Sequence, residues 1–246
     1  MSFLEKNWKT IATVFLTFVF VGVLTILLSG QSEKKEMLAQ EKYFLTEKKY
    51  LELKNKKDNP VKAANEENVK TSKLDKKDKK PETQTAAEVV VDFSQVKSDF
   101  EKVITDYSGS KAAQMSALYV TEIFKSENKE VEALALLEKV QTNDSGLVNS
   151  LVQQKIAQLL ADQDKCKEAL QIWDKILQRK EAQFVHNDLK IQEALCYRKM
   201  NDLKKAEEIL TNLANQKSEE SPEPSTTSKE AEKYLRLIQF KKMSGT

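Results

Sequence analysis

Glycine and proline are scarce in this sequence, with 5 and 4 copies respectively in 246 residues. Tight turns depend on these two residues, so their scarcity argues against a β-sandwich or β-barrel, which needs a turn between successive strands. Charged residues are abundant instead, at 32%, beside 40% apolar residues. The composition therefore favours a fold with few tight turns and a large solvated surface.

Arginine is scarce as well. The arginines are Arg179, Arg198 and Arg236, lysine supplies the remaining positive charge, and the formal net charge is +2. Proteins that bind nucleic acids usually use arginine to contact bases and phosphates and present a clearly basic surface. We therefore expect no nucleic-acid partner.

The motifs of the common enzyme families are missing. The sequence contains no GxSxG, no P-loop and no HExxH. His186, the single histidine, lies close to Asp188, but one such pair at the start of a helix is usually a cap or a surface group. One histidine and no CxxC also leave too few ligands for a zinc site. We expect a protein that is not an enzyme and that holds no metal or cofactor.

The two cysteines, Cys166 and Cys196, lie far apart in the sequence, and each falls within a helical pattern. In an oxidising compartment such a pair can form a disulfide. We expect plain packing of two small apolar side chains as their role, with a disulfide as the alternative.

The longest uncharged run is IATVFLTFVFVGVLTILL, residues 11–28, with Trp8 and Lys9 just before it. As a helix it would rise about 27 Å, close to the thickness of the hydrocarbon core of a bilayer. We expect an uncleaved signal anchor within residues 1–30, with a cleaved signal peptide or a buried helix as alternatives. The short head with Lys6 favours a cytoplasmic N-terminus and an exported C-terminal domain, although lysines also follow the run.

Residues 31–86 are charged. Within 31–56, Met37, Phe44 and Leu51 are seven residues apart and have Leu38 and Leu45 beside them, which predicts a helix. This juxtamembrane helix would form a homodimer with a second copy or lie on the lipid surface. Residues 57–86 are rich in lysine and poor in apolar residues, which predicts a disordered tether or a basic segment resting on anionic lipid.

The pattern becomes helical again from residue 87. A stripe at spacings of three and four predicts a first helix over 87–107, and it consists of Val89, Phe93, Val96, Phe100, Val103 and Tyr107. A last helix is predicted at about 227–242, with Ala231, Tyr234, Leu235 and Ile238 on one face. We expect these two helices to cover the ends of whatever lies between them.

Residues 110–216 between them contain a repeat. Alanines that each follow a charged residue, 36 and 37 positions apart, mark its copies: Ala133, Ala169 and Ala206. Twelve positions earlier stand the small residues Thr121, Ala157 and Ala194, and three beyond those stand Phe124, Leu160 and Tyr197. Four and seven positions after the alanines stand Leu137, Trp173 and Leu210, then Val140, Ile176 and Leu213. Small residues let antiparallel helices approach and large neighbours fill the groove, so we expect three helix pairs joined by the polar turns SENKEV, DQDKCK and MNDLKK.

This pattern resembles the tetratricopeptide (TPR) repeat, although the early tryptophan and closing proline of that repeat are missing. The alternative is a generic helical bundle with coincidental alanines. The resemblance implies a TPR-like solenoid of antiparallel helix pairs at 87–246. Together with the transmembrane helix expected within residues 1–30, the predicted fold is all-α. The resemblance also implies that the first helix of each pair lines the concave, partner-binding face. The residues expected there are Leu118, Glu122, Lys125, Leu151, Gln154, Gln158, Asp162, Asp188, Ile191, Leu195, Arg198 and Lys199.

A single N-terminal span followed by such a repeat domain is similar to the YfgM-type proteins of the bacterial inner membrane. The resemblance implies a periplasmic domain that accompanies the Sec translocon and assists exported chains, binding unfolded or helical polypeptide. The long lysine-rich segment departs from what we expect of that family. The alternatives are a structural scaffold for another cell-envelope complex and a repeat domain that faces the cytoplasm.

Overall fold

The computed structural model describes residues 3–58, 91–216 and 225–244, without the side chains of residues 3–15, 18–19, 21–32 and 244. Every regular element within these ranges is a helix, so the prediction of an all-α fold is confirmed. The chain divides into two units, Met1–Ala113 and Gln114–Thr246. Each unit is described below by itself.

The first unit is built on α1, which is continuous over Phe3–Asp58. The apolar run at 11–28 lies within it, but the described side chains of that run are only those of Leu16, Thr17 and Phe20. In the part of the chain that the structure describes, no helix is both long enough and apolar enough to cross a membrane.

The second half of α1 packs against α2, which spans Ser94–Asp106. The buried residues of α1 are spaced by four, three and four: Ala39, Tyr43, Thr46 and Tyr50. Tyr43 and Tyr50 both contact Phe100 of α2, with ring centroids 6.4 and 6.2 Å apart. Lys49 donates to Asp99 at 3.0 Å beside these rings. Of the predicted stripe, Val96, Phe100 and Val103 are buried, and Phe100 packs against α1, an arrangement that the sequence did not suggest. The predicted start of this helix at residue 87 was wrong for the described residues, because residues 91–93 are not helical.

The heptad noticed in the sequence is a different stripe of α1 from the buried one. Met37 is 67% exposed and Phe44 is 59% exposed. The side chains that pack on α2 lie beside this stripe, because the buried residues are Tyr43 and Tyr50 rather than Met37, Phe44 and Leu51. The heptad residues thus stay on the surface of this unit.

The lysine-rich segment lies outside the described residues from position 59 to position 90. The described residues at its two ends lie close together. Lys57 Nζ is 5.9 Å from the centroid of the Phe93 ring, and Phe93 also contacts Tyr50 with ring centroids 5.5 Å apart. The chain therefore leaves α1 and returns to it at nearly the same place.

The second unit contains helix pairs in the order that the repeat predicts. The first pair is α3 (Lys111–Ser126, which enters this unit at Gln114) and α4 (Glu130–Val140). The second is α5 (Leu147–Asp162) and α6 (Cys166–Leu177). A 3₁₀ helix, Lys180–Val185, leads into the third, α7 (His186–Lys199) and α8 (Leu203–Ala214). The chain ends with α9 (Thr226–Ser244).

Burial follows the repeat positions closely. The anchor alanines and the small residues twelve positions before them are all 0% exposed: Ala133, Ala169, Ala206, Thr121, Ala157 and Ala194. The large residues four positions after the alanines are also fully buried: Leu137, Trp173 and Leu210. Small residues at the crossings and large ones beside them give the close antiparallel packing of a TPR-like helix pair.

The turns between the two helices of each pair share one backbone conformation and one hydrogen bond. Asn128, Asp164 and Asn201 adopt left-handed backbone conformations, with φ of 56°, 61° and 63°. The next residue in each turn donates its N–H to the carbonyl of the large residue five positions earlier: Lys129 to Phe124 at 2.9 Å, Lys165 to Leu160 at 2.9 Å, and Asp202 to Tyr197 at 2.8 Å. This is the Schellman ending, which satisfies carbonyl groups at the end of a helix.

The last helix covers the third pair. Ala231 and Ile238 of α9 are buried in one cluster with Leu210 and Leu213 of α8, and Tyr234 and Leu235 pack against it. Ser228 donates to the carbonyl of Ala214 at 2.5 Å, which fixes the start of α9 against the end of α8. The predicted apolar face of the final helix is thus the face that packs.

The expectation of plain packing for the cysteines was wrong. Cys166 and Cys196 are both buried and form a disulfide, with Cα atoms 5.3 Å apart. Cys166 begins α6 and Cys196 lies in the last turn of α7. Because these antiparallel helices are neighbours, residues 30 positions apart come within bonding distance, which the sequence separation alone does not show.

Candidate functional site

The first helices of the three pairs form a surface that we call the first-helix face: α3, α5 and α7. Between α3 and α5 this face contains an open cavity of about 340 Å³, the apolar cavity. It is lined by Met115, Leu118, Tyr119 and Glu122 from α3 and by Leu151, Gln154, Lys155 and Gln158 from α5. Its lining residues are spaced by three and four along each helix, so they lie on one side of each helix.

An ion pair closes one side of the apolar cavity. Lys155 Nζ lies 2.5 Å from Glu122 Oε1, and the Lys155 side chain is only 21% exposed. The two charges neutralise each other, so the wall that they form is polar without a net charge. Further along the same helices Lys125 and Asp162 form a second pair at 3.7 Å.

A second cavity of about 230 Å³ lies beside the first, towards α7, and we call it the acidic cavity. It is lined by Gln154, Gln158, Trp173, Asp188, Ile191, Gln192 and Glu230. Gln154 and Gln158 line both cavities, so these two glutamines form the ridge between them. Glu230 comes from α9, so the final helix contributes to the first-helix face as well as covering the third pair.

The wall of the acidic cavity contains a buried donor without an acceptor. Trp173 is 0% exposed, and its indole N–H has no hydrogen-bond partner among the described residues. Buried N–H groups are nearly always paired, so an unpaired one calls for an explanation. Its position in a cavity wall is relevant to what the cavity binds.

A second acidic side chain of α7, that of Glu193, is buried and belongs to neither cavity lining. Burial raises the pKa of Glu193 to about 7, and the charge of the neighbouring Asp174 on α6 adds to the rise while Lys190 opposes it. The Glu193 and Asp174 carboxyl groups are also hydrogen-bonded to each other. The Glu193 carboxyl is therefore only partly ionised at neutral pH.

Most of the residues predicted from the sequence line these cavities. The structure places Leu118, Glu122, Leu151, Gln154, Gln158, Asp188 and Ile191 in the two linings. Lys125 and Asp162 pair beyond the cavity, and Leu195 packs in the cluster under α9. Lys199 donates to the Ala161 carbonyl at 2.7 Å and to Asp164 at 3.0 Å, while Arg198 lies outside both linings.

Several lining residues were missed. Met115 and Tyr119 precede and follow Leu118 on the same side of α3, so helical spacing alone could have found them. Trp173 belongs to the second helix of its pair, where the repeat predicts a core residue. Glu230 lies beyond the repeat, where no repeat position could indicate it.

No protein-family model matches this sequence, and no curated protein matches it. Two solved structures are similar in backbone arrangement, and both are described as a kinesin light chain from Podospora anserina with nearly identical TPR-like repeats. One has a TM-score of 0.45 and 15% identity and covers 60% of this chain and 87% of that chain. The other has a TM-score of 0.46 and 15% identity and covers 62% and 88%.

Proposed function

We propose that this chain is a protein-binding module, without catalytic activity, whose first-helix face holds a segment of another polypeptide. The apolar cavity between α3 and α5 supports this most directly, because it is open and lined by Leu118, Tyr119 and Leu151 beside a neutralised ion pair. A concave, mainly apolar site with a few polar groups is the usual form of a binding pocket. Gln154 and Gln158 add amide donors and acceptors that suit a peptide backbone.

The proposed location is the bacterial inner membrane, with residues 11–28 as a single span and the repeat domain in the periplasm. The uncharged run supports the anchor, since it is long enough for a bilayer. The disulfide between Cys166 and Cys196 supports an exported domain, because such bonds persist in oxidising compartments. A reporter fused after Thr246 that is active only in the periplasm tests this topology, and activity of a cytoplasmic reporter instead would overturn it.

The proposed role is that of an ancillary, chaperone-like subunit at the Sec translocon, as the resemblance to YfgM-type proteins implies. The alternative is a scaffold for another envelope complex. Affinity purification of the full-length chain from membranes, beside a version lacking residues 1–30, separates the two. Sec subunits that are recovered only with the full-length chain support the first, and an envelope complex that follows the truncated chain supports the second.

The binding function itself is tested with variants of the apolar cavity. Leu118→Ser and Leu151→Ser each remove an aliphatic wall. Each contact contributes about 1 kcal/mol when a partner side chain covers it, so the double variant should bind an unstructured leucine-containing peptide roughly 30-fold more weakly. The peptide carries a fluorescent label, and its anisotropy reports binding to the full-length chain in lipid nanodiscs.

The matched control replaces two exposed aliphatic residues outside the cavity, Val131→Ser and Leu237→Ser, which are 74% and 48% exposed. This control should bind the peptide as the unchanged protein does. Equal affinity of all three proteins, or no binding of the peptide by any of them, would count against the first-helix face as a polypeptide site.

A further inference from the structure

We propose that the acidic cavity binds the basic side chain, lysine or arginine, of the same polypeptide whose apolar side chain occupies the apolar cavity. The inference rests on the proposed function and specifies its ligand: a segment with an apolar residue and a basic residue at a fixed spacing. Charge, an unpaired donor and the arrangement of the two cavities each support it.

The charges of the acidic cavity are unbalanced. Asp188 and Glu230 line it from α7 and α9, and neither carboxylate forms an ion pair with any residue that the structure describes. In the apolar cavity, by contrast, Glu122 is neutralised by Lys155. Two uncompensated carboxylates at one cavity attract a cation and repel an anion. The ligand group that complements this cavity is therefore a positive charge.

The Trp173 indole points to the chemical form of that ligand. Trp173 lines the acidic cavity and its N–H has no acceptor among the described residues. The side chain is 0% exposed, so a ligand reaches this N–H only if the side chains that cover it move. A free cation such as a metal ion or a polyamine offers no acceptor for this group. A peptide offers one, because each residue contains a carbonyl oxygen. A basic residue within a polypeptide therefore complements both features, whereas a free cation complements only the carboxylates.

The arrangement of the cavities sets the spacing of the ligand. The two cavities flank the ridge that Gln154 and Gln158 of α5 form between them. Neighbouring packed helices are about 8–10 Å apart. An extended chain advances about 3.3–3.6 Å per residue, so a step across this ridge needs about three residues. The ligand is thus an extended segment with an apolar residue followed or preceded, about three positions away, by a lysine or arginine.

The test compares three labelled peptides of equal length, each otherwise made of glycine and serine. The first contains leucine and lysine about three residues apart, and the second contains leucine and glutamate at the same positions. The third contains lysine alone. Binding to the full-length chain in nanodiscs is measured by anisotropy. We expect the leucine–lysine peptide to bind about tenfold more tightly than the leucine–glutamate peptide at low salt, with a smaller difference at high salt.

The double variant Asp188→Asn, Glu230→Gln should remove that difference. Its matched control is Glu168→Gln, Glu208→Gln, which changes the net charge equally at exposed positions outside both cavities and should keep the difference. If the control loses it as well, the preference comes from net charge and the acidic cavity is not its cause. If the leucine peptides bind equally well to every protein, the basic-residue preference is wrong while the proposed function stands. If no leucine-containing peptide binds, both are wrong.

A second measurement, the fluorescence emission of Trp173, detects binding in the acidic cavity directly. The chain contains two tryptophans, and Trp8→Phe leaves Trp173 as the only one. The leucine–lysine peptide should change the emission of Trp173, and lysine alone should change it only weakly. An unchanged emission at saturating leucine–lysine peptide would show that the ligand bypasses the acidic cavity and would overturn the inference.

Discussion

Removal of the disulfide should uncouple the second helix pair from the third. Cys166 begins α6, and Cys196 lies near the end of α7. The bond therefore joins the second pair to the first helix of the third pair. In an array of repeats each unit is stabilised mainly by its neighbours, so a covalent link at one junction matters for everything beyond it. Here α8 and α9 lie beyond it.

The size of the effect follows from the length of the closed loop. The bonded residues are 30 positions apart. For a loop of this length the bond lowers the entropy of the unfolded chain by about 12 cal/mol/K, which corresponds to about 3.5 kcal/mol at 25 °C. This is a large fraction of the 5–15 kcal/mol typical of a whole domain. We expect the double variant Cys166→Ala, Cys196→Ala to unfold at a much lower urea concentration.

Urea unfolding followed by the emission of Trp173, in the Trp8→Phe background, measures this change because Trp173 lies within the closed loop. The unchanged protein treated with a reductant is the matched control, since it loses the bond and keeps the sulfur atoms. It should lose stability to a similar degree, and the double variant should not respond to the reductant. A loss below about 1 kcal/mol in both proteins would refute the loop-entropy reasoning. Two reactive thiols in the unreduced, unfolded chain would refute the bond itself.

Two further predictions concern the pairs themselves. The pKa of Glu193 is about 7 in the folded chain, above its value of 4.5 as an exposed group. The folded state therefore binds the proton more tightly, and stability should fall as the pH rises from about 5 to 8. Glu193→Gln should remove this fall and make the protein more stable at pH 8 by at most about 3 kcal/mol, measured by urea unfolding at both pH values. Parallel pH dependences for the variant and the unchanged protein would contradict it. Asn128 has a φ of 56°, which glycine adopts without strain. Asn128→Gly should therefore stabilise the first pair by a few tenths of a kcal/mol. Asn128→Ala should destabilise it by about 1 kcal/mol. Thermal unfolding of the two variants should shift in opposite directions, and shifts in the same direction would argue against strain at this turn.

The repeat was predictable because its physical requirement is local and periodic. Ala133, Ala169 and Ala206 mark crossings where only a small side chain fits, and each is 0% exposed. For the turns, the sequence predicts only that the residues are polar. Their left-handed conformation at Asn128 and its counterparts depends on the helix ending at that residue, and the sequence does not fix that point by itself.

The cavity linings and the packing of α1 on α2 are harder to predict, because they depend on contacts between helices that are distant in the sequence. Seven of the twelve expected face residues line the two cavities, because their position on a first helix follows from the repeat. Glu230 reaches the acidic cavity only because α9 folds over the third pair. The sequence favours the heptad of Met37, Phe44 and Leu51 over Tyr43 and Tyr50, since nothing in it indicates that α2 packs on α1.

The contact between Lys57 and Phe93 changes what the length of the lysine-rich segment can control. A segment that separates two bodies sets how far apart they can move. The ends of this one are held on the same helix, at Lys57 and at Phe93 beside Tyr50. A change in its length therefore does not extend the reach of α2, because these contacts hold α2 on α1. Insertions and deletions between positions 59 and 90 should thus leave the position of α2 along α1 unchanged.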